Sequence, residues 1–243
     1  MNTKSFVVAA SVLLTSCSLM EVKVDEPITG KTIGLSHDIN YEPKLCQNHI
    51  GLTIFNNYSK TYDLEGDLRQ IIVDGYVRGI EQTGNKAQVL ESAPYVYDDM
   101  TLSSWDASMT MSAEGKSKLV ALGKEYNLDY ILYSQHPPNI NPEYRENKDG
   151  SAVCYGISLN TGGNYNIPLI PRAGTYLFDA KTGKHVGTIR LLNSALKVDS
   201  PKDHKNITRE EIKYYMEMEG QFAEKSIVEF VNLSRNRKAP VTR

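Results

Sequence analysis

The chain has 243 residues, with 40% apolar and 23% charged side chains and a formal net charge of -2. That is the composition of a globular protein, long enough for one sizeable domain or two small ones, and 27 basic against 29 acidic residues leave no electrostatic footprint for a nucleic-acid partner. Fifteen tyrosines against five phenylalanines and one tryptophan point to half-buried strand surface first and to a sugar-binding surface second.

Met1 to Ser16 has the layout of a short secretory signal: Lys4, an apolar run from Phe6 to Leu14, then small residues. The run is too short to span a bilayer, which takes about 20 residues. Leu14-Thr15-Ser16-Cys17 resembles the lipobox of bacterial lipoproteins. The resemblance implies cleavage before Cys17, a diacylglycerol on its thiol and an acyl chain on the new amino terminus, so that the chain is anchored to a membrane and released slowly. Ser18, where an Asp commonly signals retention in the inner membrane, implies the outer membrane, facing the periplasm.

Ser18 to Thr32 reads as a tether, reaching about 50 Å if fully extended. Gly30-Lys31-Thr32 has the look of a phosphate-loop end, but Asp25 stands where that pattern needs a glycine. Ile50 to Phe55 reads as a strand stopped by Asn56-Asn57 and Ser59. Asp63 is a suitable N-cap for a helix with Leu64, Leu68, Ile71, Ile72, Gly75, Gly79 and Ile80 on one face, ended by Gly84, and its two glycines predict close approach to a sheet. Ala87 to Leu90 is a second strand, and 91–111 reads as irregular.

Ser112 starts a helix with Gly115, Leu119, Leu122 and Tyr126 on one face and Asn127 at its end. Leu128 to Ser134 follows as a strand, with Tyr130, Leu132 and Ser134 on one side and Asp129, Ile131 and Tyr133 on the other. A polar loop over Pro137 to Asp149 precedes Val153 to Leu159, which alternates with period two, and Asn160 to Arg172 is a Gly/Asn/Pro-rich break. Thr175–Phe178 and His185–Leu192 read as strands joined by a tight Asp179–Gly183 hairpin. After a loop over Val198 to Ile207, Thr208 and Glu211 form a capping box for a helix to about Leu233, with Met216, Gly220, Ala223, Ile227 and Phe230 as its stripe. Arg235, Arg237, Lys238 and Arg243 form a basic tail. The expected class is α+β in layers, a mixed sheet of about five strands flanked by three helices, as one domain over 33–234 with a tail at 235–243.

This order, with Ala121-Leu122-Gly123 leading into Asn127-Leu128-Asp129-Tyr130-Ile131-Leu132 and a strand pair turned by Asp179 with Thr182-Gly183-Lys184, resembles a periplasmic domain of bacterial envelope proteins. It is shared by curli-secretion channel lipoproteins, lipoprotein activators of penicillin-binding proteins and the amino-terminal domain of the Tol-system B protein. The resemblance covers roughly residues 50–232 and implies a mixed sheet flanked by helices whose task is binding other envelope proteins. Two departures narrow it. Val153–Leu159 and His185–Leu192 are shorter than the 9 to 11 residues of a membrane strand, which argues against a pore. The tether is brief beside those of the cell-wall-synthase activators.

Residues with reactive side chains do not assemble into a motif. His37, His49, His136, His185 and His204 are scattered over loops and strand ends, Cys46 and His49 lack a second ligand pair, and Gly-x-Ser-x-Gly is missing. Asp98-Asp99 and Glu210-Glu211 are neighbours whose side chains diverge, and Gly162-Gly163 suits a turn. No catalytic set, metal site or cofactor follows. With Cys17 acylated, Cys46 and Cys154 can pair in an oxidising compartment or stay as two buried thiols. The expectation is a non-catalytic outer-membrane lipoprotein, held by its N-terminal lipid, that acts as an adaptor or assembly factor for an envelope protein partner. Tyr95, Tyr97 and Trp105 in the irregular segment, and the Asn160–Arg172 loop, are the candidate contact surfaces. The alternatives are a subunit of an oligomeric secretion channel and a cell-envelope hydrolase.

Overall fold

The computed structural model describes residues 26–38, 43–49, 51, 56–94, 96–102, 109–135, 145–146, 152–153, 156–161, 174–189 and 198–236. In chain order the elements are β1 (Thr32–Asp38), β2 (Lys44–His49), β3 (Tyr58–Asp63), α1 (Leu68–Gln82), β4 (Lys86–Val89), β5 (Met100–Leu102), β6 (Met109–Met111), α2 (Ala113–Glu125), β7 (Tyr130–Gln135), β8 (Arg145–Glu146), β9 (Ala152–Val153), β10 (Gly156–Thr161), β11 (Gly174–Asp179), β12 (His185–Ile189) and α3 (Arg209–Asn236).

The largest sheet has five strands in the order β12-β11-β7-β1-β4. β1 lies parallel to β4 on one side and to β7 on the other, while β11 runs antiparallel to both β7 and β12. A sheet with parallel interior strands is covered on both faces, and β7 shows this directly. Tyr130 and Leu132 pack with α1 and α3, whereas Ile131 and Tyr133 pack with α2 and the β5-β6 ribbon. A second sheet, β10-β2-β3, joins a parallel and an antiparallel pairing.

α3 connects the two sheets. Its 28 residues span about 42 Å at 1.5 Å each. Its second half places Ala223, Ile227 and Phe230 over Ile33, Leu35 and Leu177 of the large sheet. Its first half places Tyr215, Met216, Met218 and Phe222 over Leu45, Ile157 and Leu159 of the second. The class expected from sequence, helices layered on a mixed sheet of five strands, is the class observed.

Several local signals hold. Ser112 caps α2 by accepting from Gly115 N at 3.0 Å, Asn127 takes the left-handed conformation (φ 52°) that ends a helix, and Thr208 and Glu211 exchange hydrogen bonds at the head of α3. Asp179 Oδ1 accepts from Lys181 N, Thr182 N and Thr182 Oγ1, closing a turn in which Gly183 has φ 64°.

Others are corrected. Asp67, not Asp63, caps α1, accepting from Gln70 N at 3.0 Å; Asp63 ends β3 and pairs with Lys44 at 3.2 Å. Gly75 and Gly79 face α3 rather than a sheet. A Cβ on Gly75 would lie 2.2 Å from Gly220 O, and one on Gly79 would lie 2.6 Å from Glu224 O. The supposed tether reaches into the core, because Ile28 is fully buried and β1 begins at Thr32. The strand expected at Ile50–Phe55 lies outside the described residues apart from Gly51, while the more polar segments on either side of it pair as β2 and β3. The segment 91–111 is not wholly irregular, since β5 and β6 pair within it. α3 runs to Asn236, past the expected end at Leu233.

Candidate functional site

Of the residues singled out by sequence, Cys17, Tyr95, Trp105, Cys154 and residues 162–172 of the Asn160–Arg172 loop lie outside the described residues, as does the side chain of Tyr97, while Asn160 and Thr161, expected in that loop, end strand β10. Cys46 is fully buried and disulfide-bonded. Both other cysteines of the chain, Cys17 and Cys154, lie outside the described residues. Next to the expected aromatic surface, the buried Val96 donates its N–H to Tyr133 Oη at 2.9 Å. Hydrogen bonds from Ser112 Oγ at 2.6 Å and Lys118 Nζ at 3.0 Å hold the Asp99 carboxyl below its ordinary value. These contacts build the segment into the fold.

Two of the histidines that looked scattered are brought together. The His49 ring stacks on Tyr58 with centroids 4.7 Å apart and lies 5.7 Å from His204. His49 Nδ1 is 3.0 Å from Thr161 Oγ1, to which Gln47 also donates at 3.0 Å, and Gln47 Nε2 donates to the His204 carbonyl at 2.7 Å. Tyr58 Oη donates to that same carbonyl, and Lys60 Nζ to the carbonyl of Lys205. Desolvation, with His204 second, lowers the His49 pKa, so the ring is neutral at neutral pH. These contacts end on backbone carbonyls or a neutral hydroxyl, and Gln47 Oε1 in turn accepts from Tyr62 Oη at 3.1 Å. The network therefore straps the 203–207 loop across β2, β3 and β10 without assembling an acid–base pair.

A buried polar row crosses the large sheet beneath α1. His37 of β1, Ser134 of β7 and Thr175 of β11 are in register across the three strands. Thr175 Oγ1 donates to Ser134 Oγ at 3.3 Å, and Tyr76 of α1 meets Thr175 Oγ1 at 3.0 Å. Burial pushes the Tyr76 hydroxyl up to about 12, with the Thr175 hydrogen bond opposing and the charge of Glu219 adding to the rise. Glu219 itself is 2% exposed, its Oε1 has no hydrogen-bond partner among the described residues, and burial pushes its carboxyl up to about 8. It is a neutral acid at pH 7, a hydrogen-bond donor rather than a base. Sequence reading passed over it, although the signal was present: Glu219 sits three residues after Met216 and four before Ala223, on the apolar stripe.

No family model, no curated protein and no solved structure matches this chain. The site's chemistry is therefore read from its own geometry. Among the described residues, no group of three His, Cys, Asp or Glu side chains is placed to hold a metal ion, and no helix is long and apolar enough to cross a membrane.

A cavity lies at the other end of the large sheet, where the chain enters the fold. It has a volume of about 520 Å³ and is lined by Glu26, Lys31, Asp129, Asp179, Lys184 and His185, among others. Ile28 N donates to Ser234 Oγ at 3.3 Å, and Arg235 donates to the carbonyls of Ile28 and Thr83 and to Thr29 Oγ1. Asn85 accepts from Lys31 N at 3.0 Å and donates to Ile28 O at 3.3 Å. Asp129 Oδ2 accepts from Thr32 N at 3.0 Å. The end of α3, the α1–β4 turn and the α2–β7 turn thus grip residues 28–32, and the end of α3 lies beside the start of β1.

Proposed function

We propose that this chain is a non-catalytic lipoprotein of the outer membrane, acylated at Cys17 and facing the periplasm, whose domain serves as an adaptor or assembly factor by binding another envelope protein. The observation that carries the reading is the position of the lipobox. Cys17 stands eleven residues before Ile28, the first of the described residues that is buried in the domain core. Eleven residues extend to at most about 40 Å, so the folded part works close to its lipid. A mixed five-stranded sheet under helices is also the architecture that the resemblance to periplasmic protein-binding domains implies, which supports the same reading.

The chemistry of the described core points the same way. Its one buried acid is neutral at pH 7, and the bonds beside its two neighbouring histidines hold a loop by its backbone carbonyls. The reading is tested by intact-mass measurement of protein extracted from membranes, followed by in-cell crosslinking and identification of what is captured. Acyl mass at Cys17, loss of the first sixteen residues and recovery of one envelope protein in constant ratio are expected. A mass showing the first sixteen residues retained and no acyl group rejects the anchor. The same spectrum with and without reductant shows whether Cys46 pairs with Cys154 within one chain.

A further inference from the structure

We infer that the pole of the domain where β1 begins is a docking face for the anionic headgroups of a phospholipid bilayer. The inference rests on the lipid-anchor reading for which membrane is near, and on the geometry of the pole for the contact itself. The lipid-bearing segment enters at Ile28, and α3 ends at Asn236 beside it, held through Ser234 and Arg235. In sequence, Arg237, Lys238 and Arg243 follow directly. The second sheet lies under the first half of α3, toward the far end of a helix about 42 Å long. One end of the molecule is thus held toward the bilayer and the other is held away from it.

The charges at this pole are unequal in what they are free to do. Asp129 is paired with Lys181 at 3.6 Å, whereas Asp179 accepts only from neutral donors of its own hairpin and keeps its charge. Arg235 binds carbonyls and a hydroxyl, which leaves its positive charge without a carboxylate. Lys31 and Lys184, on the wall of the cavity, and Lys86, joined to Lys31 through the Lys86 N to Lys31 O hydrogen bond of 2.9 Å, have no ion pair among the described residues. Glu26 and Asp179 are the opposing carboxylates on that wall, fewer than the four cations. An acyl anchor combined with a basic patch is the arrangement that turns tethering into a fixed orientation, each cation near an anionic surface tightening the contact severalfold.

The test uses the mature chain from Ser18 without its lipid, sedimented with vesicles of phosphatidylcholine alone or with roughly a quarter phosphatidylglycerol. At about 0.1 M salt, binding to the anionic vesicles only is expected, and at about 1 M salt, where the screening length is about 3 Å, it should disappear. A Lys31→Glu/Lys86→Glu/Lys184→Glu variant, whose fold is checked by circular dichroism, should bind at least about tenfold more weakly. An Arg237→Gln/Lys238→Gln/Arg243→Gln variant separates the tail from the folded face. Equal binding to both vesicle types, or undiminished binding of the triple Lys→Glu variant, overturns the inference. Displacement by inorganic phosphate beyond that by chloride at equal ionic strength also overturns it, in favour of a free-phosphate site. Acyl mass at Cys17 is read separately on membrane-extracted protein, so failure of the anchor and failure of this face are distinct results.

Discussion

From its middle onward α3 meets α1 closely, Gly220 and Ala223 against Gly75 and Glu224 and Ile227 against Gly79, whereas its first half covers the second sheet with Tyr215, Met216, Met218 and Phe222. The first contact is backbone against backbone. The second uses long side chains, two of them methionines, that can shift to fill space. One helix therefore carries a rigid joint and a compliant one, with Glu219 on the buried turn where the two meet. The contrast explains why a polar strap is needed at the compliant end: Gln47, Tyr58 and Lys60 fix the 203–207 loop that leads into α3. At the rigid end the two helix backbones fix themselves.

Breaking the rigid joint should cause the largest loss of stability from any one substitution. Gly75→Ala places a methyl 2.2 Å from Gly220 O, a backbone atom that cannot rotate away. A loss of about 3 kcal/mol in urea unfolding is expected, against under about 1.5 kcal/mol for Met216→Leu at the compliant end. Equal losses from the two substitutions would erase the distinction.

The acid where the joints meet gives the next effect, and its sign is fixed by burial. The Glu219 carboxyl is raised from 4.5 to about 8 in the folded chain, so the folded state holds its proton where the unfolded state has lost it. Stability should therefore fall as pH rises from about 4.5 to about 8, by up to about 1.4 kcal/mol per pH unit, and level off above. Glu219→Gln keeps the shape and removes that slope. Unfolding curves of parent and variant that stay parallel from pH 5 to pH 8 would show that Glu219 does not titrate in this way.

The smallest effect belongs to the start of α3. Thr208 Oγ1 accepts from Glu211 N at 3.3 Å while Glu211 Oε2 accepts from Thr208 N at 2.8 Å. Thr208→Ala should cost about 1 kcal/mol and, because the strap holds the same loop, should leave the thermal transition cooperative. A split transition would mean that the two sheets unfold separately.

Signals carried by one residue and its near neighbours were legible before the structure. Ser112, Asn127, Asp179 with Gly183, and Thr208 with Glu211 act over three or four residues, a range at which hydrogen-bond geometry follows from spacing alone. The alternation in Tyr130–Tyr133 was legible too, since both faces of β7 are covered. β1, β2 and β3 were not. Ser36, His37, Lys44, Gln47 and Lys60 give these strands the polarity of loops, and their backbone partners lie on strands distant in sequence. The strap residues escaped notice for the same reason, because Gln47 and His204 are 157 positions apart.

By itself the sequence determined the layered class, the turns and caps, and the lipobox resemblance on which the anchor proposal stands, because each is written within a few consecutive residues or in a period of two or 3.6. Only the tertiary structure decided that Gly75 and Gly79 serve a helix and not a sheet, that Ile28 belongs to the core, that Glu219 is a buried neutral acid, and that residues 28 and 235 share one pole. Each of these depends on what lies opposite a residue in space, and close packing selects that partner from anywhere along the chain.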